Sequence, residues 1–138
     1  MAGRWEDHEA IRNLIAAYSF VLDRRRFEEL GALLADAVFS LSWPAEGIET
    51  GEIRGREAIE RYYAEHLEER RPSRHVITNV SIEIEEGGES AHVEAYLTSV
   101  GYSPGEVVLL SGRYEDRFER VEGEWRFARK HCVMELPA

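Results

Sequence analysis

The chain has 138 residues, 43% hydrophobic and 32% charged, with 17 basic against 27 acidic side chains and a net charge of -10. That length suits one domain, spanning 1–138, with a core of its own and too little chain for a second. The acidic balance repels phosphate backbones and anionic lipid, no uncharged apolar run approaches the ~20 residues that cross a bilayer, and a lone Cys132 permits neither an internal disulfide nor a cysteine-based zinc site. Nucleic acid, membrane and metal are therefore not the expected partners. The opening MAGRWEDHEA carries acids and no apolar core, which predicts no secretory signal and a cytoplasmic location.

Helical periodicity runs over residues 5–23, where Ile11, Leu14, Ile15, Tyr18 and Leu22 form one stripe and Ala16, Phe20 and Asp23 another. A second, short helix over 26–34 carries Phe27, Leu30, Leu33 and Leu34. Strands are expected at 36–43 and 48–53. Gly55 then opens a third helix, with Ile59, Tyr62, Tyr63 and Leu67 at helical spacing up to the break at Pro72. From there the chain alternates, predicting long strands at 75–86, 90–102, 106–121 and 124–134, separated by Glu-Gly-Gly, Ser-Pro-Gly and Glu-Gly turns. Helices followed by a meander point to an α+β domain, a cone-shaped, curved antiparallel or mixed sheet wrapped around the long first helix and leaving a pocket.

Asp23 ends an uncharged nine-residue stretch, LIAAYSFVL at 14–22. A carboxylate at the C-terminal end of a buried helix suffers both desolvation and the negative pole of the helix dipole, so it needs a cationic or proton-sharing partner. His75 is one candidate and the surface run Arg24, Arg25, Arg26 the other. A histidine held by a buried carboxylate has a fixed tautomer and suits removal of a proton from carbon near neutral pH. Strand phase groups His75, Ile77 and Asn79 on one face of the first long strand, and Trp125, Phe127, Arg129, His131 and Val133 on one face of the last. An inward Arg129 would stabilise developing negative charge or pair with an interior acid such as Asp116, and Tyr18 could donate a hydrogen bond or pack as a core tyrosine. Trp43, Tyr62, Tyr63, Tyr96, Leu109 and Phe127 are the expected pocket-lining residues. Cys132 reads as an inert strand residue.

The segments IRNLIAAYSFVLDRRRFEELGALLADAVF (11–39), GREAIERYY (55–63), RHVITNV (74–80) and GRYEDRFERVEGEWRFARK (112–130), in that order, resemble the SnoaL-like, polyketide-cyclase-like branch of the nuclear-transport-factor-2-like superfamily. Within it the chain looks most like the dehydratases and dehydrohalogenases, which eliminate water or HCl without a cofactor. The resemblance places their acid–histidine pair on Asp23 and His75, their arginine on Arg129, and the tyrosine five residues before the acid on Tyr18. The stretch YLTSV (96–100) holds no acid where the bile-acid dehydratases carry a second aspartate. What the resemblance implies is thus a reaction class, a cofactor-free lyase or isomerase acting on a hydrophobic small molecule.

The alternative is a non-catalytic ligand-binding or scaffold subunit, a use to which this fold is also put. Metal binding by His8, His66, His75, His92 and His131 is not expected, since none stand in HxH or HxxxH spacing. Apolar Val93, Leu97 and Val133, read as facing outward among charges, predict a homo-oligomer, dimer or trimer.

Overall fold

The computed structural model describes residues 4–67 and 72–137. Helix α1 spans Trp5–Asp23, α2 Phe27–Leu33 and α3 Arg56–His66; the strands are β1 Val38–Trp43, β2 Ile48–Glu49, β3 Ile53–Arg54, β4 Ser73–Ile84, β5 Ser90–Ser103, β6 Glu106–Val121 and β7 Glu124–Leu136. The strand expected over 48–53 is split into β2 and β3, with Gly51 at φ +67° in the break. The predicted run of the third helix beyond Leu67 lies outside the described residues, as do the domain's outermost residues 1–3 and 138.

The strands form one curved, unclosed, seven-stranded sheet in the order β2-β1-β7-β6-β5-β4, with β3 also paired to β1. All neighbours are antiparallel except β1 and β7, which run parallel and make the sheet mixed. Helix α1 lies in the concavity. Its buried side chains Ile11, Ile15, Tyr18 and Leu22 recur at helical spacing and enter a core with Leu30, Phe39, Ile59, Leu97, Tyr114, Phe118 and Phe127. Both ends of α1 are tied down by carboxylates. In its first turn Asp7 accepts hydrogen bonds from the Trp125 indole at 3.0 Å and the Arg120 guanidinium at 2.6 Å, and at its last residue Asp23 meets β4.

The helix stops in a tight left-handed turn. Arg26 N–H bonds to the Val21 carbonyl and Arg25 N–H to the Leu22 carbonyl, with Arg25 at φ 55°, a position usually given to glycine. The Arg25 guanidinium offsets that cost by donating to the Leu22 carbonyl and to Ser73 Oγ, each at 2.9 Å.

Three bulges bend the sheet and change which residues face inward. On β4, Thr78 pairs with Tyr96 but Ser81 with Glu94, so one residue is extra around Asn79, which sits at φ 56°. Consequently Val80, Ile82 and Ile84 pack against the core on the same side as Ile77, not on the opposite face as strict alternation predicts. On β7, Phe127 pairs with Phe118 and Arg129 with Arg117, leaving Ala128 extra; near the end, Met134 pairs with Gly112 and Leu136 with Ser111, leaving Glu135 extra. The bulge at Ala128 keeps Trp125 and Phe127 buried, then turns Lys130, Cys132 and Met134 inward and Arg129 outward.

Gly112 faces the crowded side of that last bulge. A Cβ built there would lie 2.2 Å from the Val133 carbonyl oxygen and 3.0 Å from Met134 Cα, both backbone atoms that cannot swing aside. Gly112→Ala should therefore lower the unfolding free energy by roughly 1–3 kcal/mol in urea denaturation, the usual cost of overpacking. Gly31→Ala, whose obstacle is only the Glu60 side chain, should cost less.

Candidate active site

Asp23 closes α1 directly against the start of β4, and the contact is made by both backbone and side chain. The His75 ring Nδ1 lies 2.5 Å from Asp23 Oδ1, and the His75 backbone N–H points at both carboxylate oxygens at 3.1 Å. Ser73 Oγ adds a donor at 3.3 Å, and it in turn receives the Arg25 guanidinium. Of the two sequence candidates, His75 is the ring partner of Asp23, while Arg24 lies over the Phe20 ring and Arg26 pairs with Glu29 at the surface. The side chains are secluded, 11% exposed for His75 and 9% for Asp23. Burial pushes the Asp23 carboxyl up, but the hydrogen bonds from His75, its charge and the Ser73 hydroxyl outweigh burial and hold the group below the ordinary carboxylate value.

His75 forms part of the wall of an apolar cavity of about 280 Å³. Tyr18, Trp43, Tyr62, Tyr63 and Leu110 line it together with Phe39, Tyr114, Cys132 and Met134. Inside it the Tyr18 and Tyr63 hydroxyls share a hydrogen bond. Burial pushes both phenols well above their ordinary value, so both stay protonated near neutral pH. Two hydroxyls hold two protons, and their mutual bond uses one, which leaves the second free for a ligand oxygen. Cys132, pushed by burial to about 12, is a thiol and not a nucleophile.

Several expected residues lie elsewhere. Arg129 is exposed on the outer face, among Glu83, Glu94 and Glu115, because the Ala128 bulge reverses the phase of β7. Lys130 takes the inward place. Its ammonium is wholly buried, 2.9 Å from Asp116 Oδ2, 3.0 Å from the Tyr114 ring centre and 4.3 Å from that of Tyr18. Asp116 thus has an interior cation, but it is Lys130 and not Arg129. Burial lowers the lysine and raises the aspartate, with each charge pulling the other back. Lys130 lies behind the tyrosine rings and does not line the cavity.

Tyr96 is 54% exposed and Leu109 58% exposed, both on the outer face, and the inward neighbours Leu97 and Leu110 line the cavity instead. His92 and Glu94 share the phase of Tyr96, a signal in the sequence that this face meets water. Phe127 is buried beneath the cavity against Phe118, outside its lining. Val93 and Leu97, expected outside, are core residues; Val133 alone of that set faces out. Among the described residues no group of three or more His, Cys, Asp or Glu could hold a metal ion, and no helix is long and apolar enough to cross a membrane.

Residues 3–131 match the SnoaL-like domain, and the chain belongs to that family. No curated protein sequence matched it. Among solved structures, a provisionally assigned scytalone dehydratase from Novosphingobium aromaticivorans superposes over 96% of this chain and 86% of its own with a TM-score of 0.75 at 23% identity. The β subunit of a provisionally assigned aromatic-ring-hydroxylating dioxygenase from the same organism covers 94% of this chain and 90% of its own at TM-score 0.75 and 22% identity. An NTF2-like protein with a cystatin-like fold, also from that organism, covers 97% and 85% at TM-score 0.71 and 21% identity. At these identities the likeness establishes the fold, an NTF2-like, cystatin-like cone.

Two outcomes are expected of the buried charges. Lys130→Met should destabilise the protein by about 3–5 kcal/mol by stranding Asp116, and adding Asp116→Leu should recover most of that loss in a double-mutant cycle read by denaturation. Asp23 has a folded pKa below its unfolded value of about 3.9, so its contribution to stability is complete above that value and is lost as pH falls through the folded pKa. The stability gap between wild type and Asp23→Asn should hence narrow as pH falls below about 4, as urea midpoints against pH would reveal.

Proposed function

We propose that the protein is a cofactor-independent lyase or isomerase, dehydratase-like, acting on a neutral hydrophobic carbonyl compound held in the 280 Å³ cavity. The observation that carries this reading is the placement of His75. Asp23 occupies its Nδ1 at 2.5 Å, so Nε2 is the ring nitrogen left to act as a base on a ligand in the cavity that His75 lines. In the proposed elimination, Nε2 removes the proton from the carbon next to a carbonyl, and the electron pair of that C–H bond moves onto the carbonyl oxygen. The free proton of the Tyr18–Tyr63 hydroxyl pair stabilises the resulting enolate. Collapse of the enolate forms the C=C bond and expels the β-hydroxyl, which leaves as water with the proton carried by His75. Returning that proton to a different carbon would make the same site an isomerase.

Charge supports the substrate class. No arginine or lysine is among the described residues that line the cavity, so nothing there offsets the burial of a carboxylate or phosphate. The fold is also that of a dioxygenase β subunit, which keeps a non-catalytic binding or scaffold role as the rival reading. We further propose self-association through the outer sheet face, where Tyr102 pairs across strands with the exposed Val107 and neighbours Leu109; light scattering should report a dimer or trimer.

The deciding assay offers a panel of neutral bicyclic β-hydroxy ketones and follows absorbance of the conjugated enone. His75→Ala and Asp23→Asn should each lower kcat/KM by about 10²–10⁴ with the fold retained by circular dichroism. Near-full turnover in either variant would falsify the dyad mechanism, and saturable binding with no turnover by the wild type would favour the rival reading.

A further inference from the structure

A groove of about 370 Å³ runs along the opposite side of the dyad, between α1 and the sheet-edge strand β4, with His75 as the wall it shares with the inner cavity. We propose that this groove is a separate binding site for a small amphipathic carboxylate, whose head is held at Arg12 and whose chain lies over Ala16 and Phe20 towards Val76.

The helix supplies one continuous stripe. Arg12, Ala16, Ser19, Phe20 and Asp23 recur at i, i+4, i+7, i+8 and i+11 and all border the groove. Eleven residues of helix make its length about 16 Å, enough for a medium-length acyl chain laid along it. The floor is apolar, and Phe20 and Val76, which both line it, leave 56% and 45% of their surfaces to solvent.

Unlike the inner cavity, the groove has cations. The Arg12 guanidinium makes no ion pair or hydrogen bond among the described residues, in a chain whose net charge is -10. Arg74, at the other end, is turned to the Ser73 carbonyl at 3.0 Å. The Asp23 carboxylate also stands at that end and would repel an anion, so the head belongs at Arg12. Between the two ends, Ser19 Oγ is buried without a hydrogen-bond partner on a residue only 7% exposed. A buried hydroxyl left unpaired is costly, and a ligand bearing a hydroxyl partway along its chain would pair with it, whereas decanoate carries oxygen only at the Arg12 end.

This inference is independent of whether the inner cavity is catalytic. Its test is a methyl NMR titration of the intact protein with sodium decanoate, with decanol and decyltrimethylammonium as the neutral and cationic controls. Saturable shifts are expected at Ile15, Ile77 and Val80, and not at Leu41, Leu97 or Leu110 of the inner cavity. Arg12→Ala should weaken decanoate about tenfold, the loss of one charge-assisted contact, and Ala16→Trp should abolish the shifts by filling the groove. The proposal is overturned if decanoate moves the inner-cavity methyls instead, if decanol or the cation binds as tightly, if Arg12→Ala leaves the affinity unchanged, or if no saturable binding occurs.

Discussion

The structure depends on how α1 is seated. A helix whose apolar stripe alone met the sheet could slide along it or rotate by a residue at small cost, since Ile, Leu and Tyr make non-directional contacts. Carboxylates at its two ends remove that freedom. Asp7 and Asp23 are 16 residues apart, about 24 Å of helix, and they accept directional hydrogen bonds from different strands, Asp7 from Arg120 of β6 and Trp125 of β7 and Asp23 from β4. With both ends held, Tyr18 is fixed under Tyr63 and beside Tyr114, and the cavity acquires a defined wall. The same bond that seats the helix orients His75, so one carboxylate serves both the packing of α1 and the placement of the ring.

The interior separates its charges by depth. The Lys130–Asp116 pair is sealed behind aromatic rings and is neutralised internally, while the Asp23–His75 pair lies between two openings. The cavity itself is lined by tyrosine hydroxyls, the Cys132 thiol and the imidazoles of His66 and His75, with no arginine or lysine among the described lining residues, a set poorly suited to recognition of an anion. Orientation of a hydrophobic small molecule in such a space falls to shape, through Trp43, Tyr62 and Phe39, more than to electrostatics.

Much of this was legible in the sequence. The bounds of α1 follow from its periodicity, the order of helices and long strands defines the cone, and Asp23 stands out as an acid closing an apolar helix whose partner had to be found on a later strand. Tyr18, Trp43, Tyr62 and Tyr63 follow from helical or strand spacing. What could not be read was strand phase beyond a bulge. In RHVITNV only Asn79, a residue tolerant of positive φ, hints that alternation breaks. In WRFARKHCVMEL two cations are adjacent, and apolar residues occupy both phases after them, Val133 with Arg129 and Cys132 with Met134 beside Lys130. Periodicity alone selects the arginine; the extra residue at Ala128 selects the lysine, and only the pairing with β6 exposes it. On β5, the large tyrosines attracted attention to the outer face, whereas close packing of the sheet interior demanded the small Ala91 and Ala95.

The bulge at Ala128 bears on how this scaffold diversifies. Because strand faces alternate with period two, flattening the bulge with its extra residue kept in the ladder would exchange all the inward and outward positions from 129 onward, whereas deleting Ala128 would leave Arg129 opposite Arg117 and Lys130 opposite Asp116 as they are. A one-residue slip of register is thus a larger chemical step here than any point mutation, trading a sealed lysine for an inward arginine and replacing Cys132 and Met134 as lining residues in one event, while a single-codon deletion at 128 only straightens the strand. Relatives of equal length whose strand lacks the bulge would present different side chains to the cavity even where an ungapped alignment pairs identical letters.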